Sequence, residues 1–469
     1  MTPFRPRLAL CPIGKFVFSH EDAIRQKRTL QSLLRAWGVD FVDLDDTLPD
    51  GLVRDQSHVD AAVARFRAAG CHALFLPHCN FGTEGAVGMI ARKLGLPALL
   101  WGPRDEAPAA DGTRLRDTLC GLFASSKVLH KLGVPFATIE NCAPEDPAFR
   151  AGLERFLRAA AVADLFRSGV RVGVLGQRID FFWTTIVNES ELLERFRVEL
   201  LPLDMVEFVE AARRRAQRDA SRYAEEVRRL RDGWAVEDLE DEALSRVLAV
   251  RDEMLAAAAE RGLDALAFQS FMSVIDACGA YCSFAESAVS EALPVAAETD
   301  VHGALSDLML RRALGDGSPA YLSEFTVRHP EDDNAVLLWH AGAPLSMRDP
   351  AVRPRLGKHW ILPSPLSGMT HFPLRRGRIT VARFDGDGGE YLLAVGEGDA
   401  VDGPATLNNW VWMRVNDWPR WERTLMHGPW IHHVAMGYGA IADALEEACR
   451  FIPALAAVRL DGERTDHGR

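Results

Sequence analysis

No apolar run in this chain approaches the length of a membrane span, and basic residues are in deficit: 54 Lys and Arg stand against 66 Asp and Glu in 469 residues. The first absence excludes a spanning helix, and the second argues against a nucleic-acid partner, which needs a basic surface. Cysteine is sparse and scattered, at Cys11, Cys71, Cys79, Cys120, Cys142, Cys278, Cys282 and Cys449. Cys278 and Cys282 form a CxxxC pair, but no second pair completes a zinc cage, so buried free thiols in a reducing compartment are expected. A full glycine fingerprint for dinucleotides is missing too, since Gly82 and Gly85 stand in a loop without the rest of it. The N-terminal MTPFRPRLALCPIGKFVF is broken by proline and runs directly into folded-looking sequence. No export signal is read there, and a cytoplasmic location is expected.

What is present describes a globular chain, with 48% hydrophobic and 26% charged residues. Its length calls for two to three domains. Through the first third, short apolar runs (RLALCPIG, VDFVDLDD, CHALFLP, LPALLWGP) alternate with amphipathic helices, the pattern of βαβ units on a parallel sheet. The pattern restarts at RVGVLGQR and resumes at LDALAFQSF and LPVAAETD, which predicts a second α/β domain. Between them, interleaved acidic and basic residues from about Met205 to Arg261 predict a solvated helical pair. After about residue 315 the helical period vanishes, and NAVLLWHAG, KHWILPSPL, GRITVARFDG, GEYLLAVGEG and NNWVWMRVN read as antiparallel strands of a small barrel, sealed by a last long helix, MGYGAIADALEEACRFI. The expected divisions are 1–168, 169–315 and 316–469.

Four residues in apolar settings stand out: Glu298 in VAAETDVHG, Glu324 in LSEFTVRHP, His340 in LLWHAGAP and His433 in WIHHVAMGYG. Two carboxylates and two imidazoles without a thiolate suit a manganese-like ion acting on an oxygen-rich small molecule. Each also has a plainer reading. Glu298 precedes a helix near His302 and reads equally well as a cap. Glu324, on an alternating strand, could be neutralised by Arg328. His340 alone is more often a core histidine bonded to a carbonyl. His432 and His433 are adjacent, so their side chains should diverge and leave only one facing a cleft.

Together with RDTLCGLF nearer the N-terminus, FQSF, AAETDVHGALSDLML, SEFTVRHP, LLWHAG and HHVAMGYG resemble segments of the L-fucose isomerase and L-arabinose isomerase superfamily. The resemblance implies an α/β fold of two Rossmann-like, doubly wound domains followed by a C-terminal antiparallel β-barrel. It implies that Glu298 and Glu324 are the two metal carboxylates and also the catalytic pair. His433 corresponds to the C-terminal metal histidine, placed by its spacing to Tyr438 and Gly439, and His340 to the further metal histidine of the arabinose isomerases. Gln269 corresponds to a sugar contact. The implied cofactor is Mn²⁺, or another divalent cation such as Co²⁺ or Mg²⁺. The implied assembly is a trimer or hexamer in which His78, Asn80 and Phe81 of one copy reach the site of a neighbour. The chain is shorter than the well-known members, and their sugar-contacting aromatic positions have no clear counterparts here.

Such a site would move a proton between C1 and C2 of a free monosaccharide through an enediolate, an aldose–ketose isomerisation. Trp430, His359, Trp360, Asn409, Trp410 and Trp412 are candidates to complete a sugar pocket, with Trp412 favoured as barrel core. L-fucose, D-arabinose, L-arabinose, other deoxysugars and a sulfonated sugar are all compatible substrates. An anionic sugar would call for Arg104, Arg178, Arg328 or Lys358. An epimerase or aldolase using the same carboxylates, or a non-catalytic sugar-binding protein, are the competing readings.

Overall fold

The computed structural model describes residues 4–271, 273–361 and 365–462. The chain divides into two compact units, one of Phe4–Asp164 with Glu447–Ile452, the other holding Leu165–Glu446 and the C-terminal strand. No helix among the described residues is long and apolar enough to cross a membrane.

The first unit is built on β1 (Leu8–Leu10), β2 (Phe41–Val42), β3 (Ala73–Pro77), β4 (Ala98–Trp101) and β5 (Phe136–Thr138), all parallel in the order β2-β1-β3-β4-β5. These strands are apolar throughout because helices cover both faces. Ala9, Leu74, Leu76 and Leu100 enter one core, while Leu10, Phe75, Leu99 and Trp101 enter the other. The strand order reverses between β1 and β3, where the strand-end loops part into a crevice. Asn80 sits there, its Oδ1 accepting from Lys15 N at 2.8 Å.

The second unit starts with β6 (Val170–Leu175), β7 (Val198–Leu203), β8 (Ala235–Val236), β9 (Ala265–Phe268) and β10 (Val295–Ala297). Four of these form a parallel sheet in the order β10-β9-β6-β7. The charged stretch expected as a helical pair is three helices, Met205–Arg218, Ala220–Gly233 and Asp241–Arg261. The extra break falls at Asp219, which ends the first helix and pairs with Arg218. Apolar faces at Phe208, Tyr223, Val227, Leu244 and Val247 join one core with the sheet and the barrel.

The remaining strands are β11 (Ala320–Arg328), β12 (Ala335–His340), β13 (Arg355–Lys358), β14 (Ser367–Pro373), β15 (Arg378–Asp387), β16 (Glu390–Val401), β17 (Asn409–Arg414), β18 (His433–Tyr438) and β19 (Leu455–Arg459). Antiparallel pairing runs β11-β12-β17-β16-β15-β18 and back to β11, which closes a six-stranded barrel. Closure leaves these strands no open edge. Two expectations fail here. In KHWILPSPL only Lys358 lies in a strand before Ile361, and residues 362–364 fall outside the described residues. The C-terminal run expected as one long helix begins as strand, because Met436–Tyr438 pair with β11 and β15, and the helix covers only Ala442–Cys449.

One helix links sheet and barrel inside this unit. Val301–Leu314 is buried at nearly every position, packing on β9 and β10 as well as on β11, β15 and β18. Asp300 caps it by accepting from Gly303 N at 2.9 Å, and Gly315, at φ 71°, ends it in the left-handed conformation. The expected cap at Glu298 is therefore supplied two residues later, by Asp300.

Candidate metal centre

Strand register brings the acids and imidazoles together. Glu324 on β11 stands directly opposite His433 on β18, and His340 ends β12 on the other flank of β11. Glu298 follows β10, where Glu298 and Thr299 hold φ of 61° and 54°. Two successive non-glycine residues in the left-handed region cost about 1–3 kcal/mol each, strain that the surrounding packing must hold.

His433 is the hub. Its Nε2 lies 3.2 Å from Glu298 Oε2 and 4.0 Å from Glu324 Oε2. Neither contact has hydrogen-bond geometry, so this fully buried nitrogen makes no hydrogen bond within the protein, and its 3.2 Å approach to Glu298 is an ion pair when the ring is protonated. The opposite nitrogen, Nδ1, is 3.0 Å from Asp300 Oδ2. Asp300 in turn receives a charged hydrogen bond from Arg383 Nη1. Arg383 Nε also donates to Asp385 Oδ2 at 2.9 Å, and Asp385 Oδ1 meets His302 Nδ1 at 3.0 Å. A carboxylate behind a histidine fixes the ring and turns its other nitrogen toward a ligand. The arginine is spent on Asp300. Among the described residues no Lys or Arg pairs with Glu298 or Glu324, and Arg328 is instead bonded to Asp333 at 3.2 Å.

One atom each from Glu298, His340 and His433 can lie within 4.8 Å of one another, and the same holds for Glu324, His432 and His433. The expected divergence of His432 and His433 does not occur. Their rings are 4.4 Å apart, and His432 Nε2 comes within 3.5 Å of Glu324 Oε2, because His432 precedes the first residue of β18 and escapes strict alternation. Two carboxylates without a Lys or Arg partner among the described residues, beside an imidazole nitrogen that makes no hydrogen bond, fit a divalent ion with oxygen and nitrogen donors.

The electrostatics divide the acids. Burial would raise Asp300, but Arg383 and His433 hold it far below the usual carboxylate range. Burial would likewise raise Glu298, yet His433 and the other two imidazoles keep it below its ordinary value. For Glu324 burial wins and the carboxyl is lifted, against the pull of His340 and His433. Burial would lower His433, but the Asp300 and Glu298 carboxylates outweigh it and raise the ring to about 9.

Glu298, Glu324, His340 and His432 face a cavity of about 520 Å³ in the second unit, with Trp339, Phe271, Tyr281 and Met369 among its apolar walls. Two polar residues that sequence reasoning overlooked also line it, Glu286 and Asn408. Burial, with some repulsion from Glu298, pushes the Glu286 carboxyl up to about 8. Asp300 and Arg383 were overlooked as well. The only signal for Asp300 was its position in ETD, and Arg383 is ordinary in sequence.

Other expected residues are elsewhere. Gln269 lines a separate cavity and donates to Gln177 O at 3.0 Å. Trp430 is half-buried against the core and is not part of the cavity wall. Asn80 belongs to the first unit, as do His78, Phe81 and Arg104. Asn409 is committed to Ala343 N and Thr370 Oγ1, at 3.1 and 2.9 Å. Trp410 and Trp412 pack with Leu337 and Trp339, Trp360 is exposed, and His359 lines the cavity. Lys358 pairs with Asp238 at 3.0 Å, and Arg178 is tied to the carbonyls of Ile179, Asp180 and Phe182.

Comparison with known proteins adds a second line. Residues 10–167 match the family described as fucose/sulfoquinovose isomerase, N-terminal domain. The chain is 26% identical over 363 residues to a sulfoquinovose isomerase of Priestia megaterium, covering 76% of this chain and 78% of that one. It is 27% identical over 319 residues to a sulfoquinovose isomerase of Alkalicoccus urumqiensis, covering 67% and 69%. Among solved structures, a periplasmic solute-binding protein from Actinobacillus succinogenes with bound D-allose aligns over 58% of this chain and 81% of that one at 14% identity. Its TM-score of 0.17 is too low to argue from.

Proposed function

Because the chain belongs to the fucose isomerase-like family, we propose that it is a metal-dependent aldose–ketose isomerase that acts on a free monosaccharide through a cis-enediolate. The observation that carries this reading is the Nε2 of His433, buried without a hydrogen bond, set between the Glu298 and Glu324 carboxylates and backed by Asp300. Glu298, Glu324 and His433, with His340 beside them, would hold Mn²⁺ or a similar divalent cation. Bound there, the cation supplies Lewis-acid stabilisation of the charge that develops on the sugar oxygens, worth several kcal/mol.

The protein's own groups do the rest. A hydrogen next to a carbonyl is a weak acid, so a carboxylate must wait beside C1 and C2 to remove it and an acid must return it. Glu298 and Glu324 are that pair. In the ion-free protein the imidazoles lower Glu298 while burial raises Glu324, so the two carboxyls are inequivalent before any ion binds. Positioned transfer of this kind contributes a factor of about 10²–10⁴. Apolar walls around the carboxylates limit water, which would compete for the proton. The same reading takes the protein as a cytoplasmic homo-oligomer, with Asn80 of a second copy available to the sugar, and divided at 1–168, 169–315 and 316–469. Sulfoquinovose, the substrate in the relatives' names, belongs in the panel with fucose and the arabinoses.

The test is to strip the protein with chelator, add back Mn²⁺, and follow a panel of aldoses in heavy water. Interconversion with the ketose, with solvent deuterium entering at C2, is the expected result. Metal-independent turnover, or aldol cleavage without interconversion, would overturn the proposal.

A further inference from the structure

Glu286 projects into the cavity from the helix Ser283–Val289 and is only 5% exposed. Among the described residues no cation and no hydrogen-bond donor stands against its carboxyl. Its helix neighbours are satisfied. Ser283 Oγ lies 2.6 Å from Thr370 Oγ1, and Ser287 Oγ donates to Ala343 O at 2.6 Å. A buried carboxyl left without donors is costly, more so than the hydrogen bond it forgoes. The fold nevertheless makes room for this one. Gly342, at φ 78°, passes so close that a Cβ there would sit 2.9 Å from Glu286 Cβ and 3.0 Å from Oε2.

A second side chain lining the cavity has its polar atoms fully buried and unpartnered. Asn408 is 1% exposed, holds a left-handed backbone at φ 62°, and has neither Nδ2 nor Oδ1 partnered. Adjacent Asn409, by contrast, is fully engaged in the barrel. Glu286 is not among the acids and imidazoles that could share a cation.

We propose that Glu286 and Asn408 form the part of the site that binds sugar hydroxyls remote from the two reacting carbons. A carboxyl and an amide together offer donors and acceptors, the complement of a polyol, while Trp339, Phe271 and Met369 offer surfaces for its C–H faces. The assignment rests on reading the cavity as a sugar site, and it makes these two residues determinants of which sugar is held.

Binding can be measured without turnover, by tryptophan fluorescence of the full-length protein titrated with a panel of pentitols and hexitols. The expected result is that E286A and N408G, the latter compatible with the left-handed backbone, each lose about tenfold or more in affinity for the polyol that the unmodified protein binds best. E286Q, which can still donate and accept, should stay within about threefold. Titration with Mn²⁺ alone should give the same affinity in all variants. If E286A does not fold, E286Q and N408G decide the matter with a double variant, E286Q/N408G, expected to bind like N408G. Unaltered polyol affinity in E286A and N408G, a parallel loss of Mn²⁺ affinity, or no polyol binding by the unmodified protein would each overturn the proposal. Should polyol binding fall as expected while no aldose is isomerised, this assignment stands and the isomerase reading fails.

Discussion

Glu324 and His433 face each other across the β11–β18 ladder, so the carboxylate–imidazole distance of 4.0 Å is set by strand register rather than by side-chain freedom. A slip of one residue in either strand would turn that strand's side chain to the other face of the barrel and part the pair. The candidate metal site and the closure of the barrel thus rest on the same strand pairing.

Glu324→Gln keeps the shape of the side chain and removes its charge. We expect loss of isomerase turnover by at least about a hundredfold, with a thermal melt close to that of the unmodified protein. Ordinary turnover in this variant would remove Glu324 from the mechanism.

Asp300→Asn should act on the metal through His433. Replacing a carboxylate behind a metal-binding histidine weakens metal affinity by about 10–100-fold, read here by titration with Mn²⁺. Arg383 would lose its main buried partner as well, so a lower Tm should accompany the loss. Unchanged Mn²⁺ affinity would contradict the proposed role of His433.

The pH dependence of the metal-free protein has a definite sign. His433 is raised in the folded state from 6.5 to about 9, so its contribution is fully present below 6.5 and is lost as pH rises through 9. Stability should fall across that window by at most about 3 kcal/mol. Denaturant melts of the chelated protein and of H433Q should differ in slope there. Because the ion displaces the same proton, Mn²⁺ affinity should rise with pH over this range. A flat difference between the two melts would show that the ring is not charged in the metal-free fold.

Gly121→Ala tests the first unit. A Cβ at this position would fall 1.6 Å from Phe81 O, a backbone atom of the loop that carries Asn80. Overpacking of this sort costs about 1–3 kcal/mol, measurable by chemical denaturation. A variant as stable as the parent would mean that this loop shifts freely.

Much of this was legible beforehand for a physical reason. Both α/β sheets are announced by apolar strands between amphipathic helices, and the barrel by the loss of helical period after residue 315. Glu298, Glu324, His340 and His433 stood out because a charge or an imidazole in an apolar run needs a partner. Glu286 and Asn408 did not, since AESAV looks like any solvated helix and Asn408 like any turn residue. Their burial exists only once β14, β17 and the helix Ser283–Val289 have come together.

Local patterning, then, decided the elements and the kinds of donor available, because periodicity and residue chemistry are properties of the chain itself. Tertiary structure decided the pairings. It placed Arg383 on Asp300, not on Glu324, set Glu298 beside His433, and put Gln269 in a different cavity. The Arg383–Asp300 pair joins residues 83 apart, a separation no local window of sequence contains, so only the folded barrel could make it.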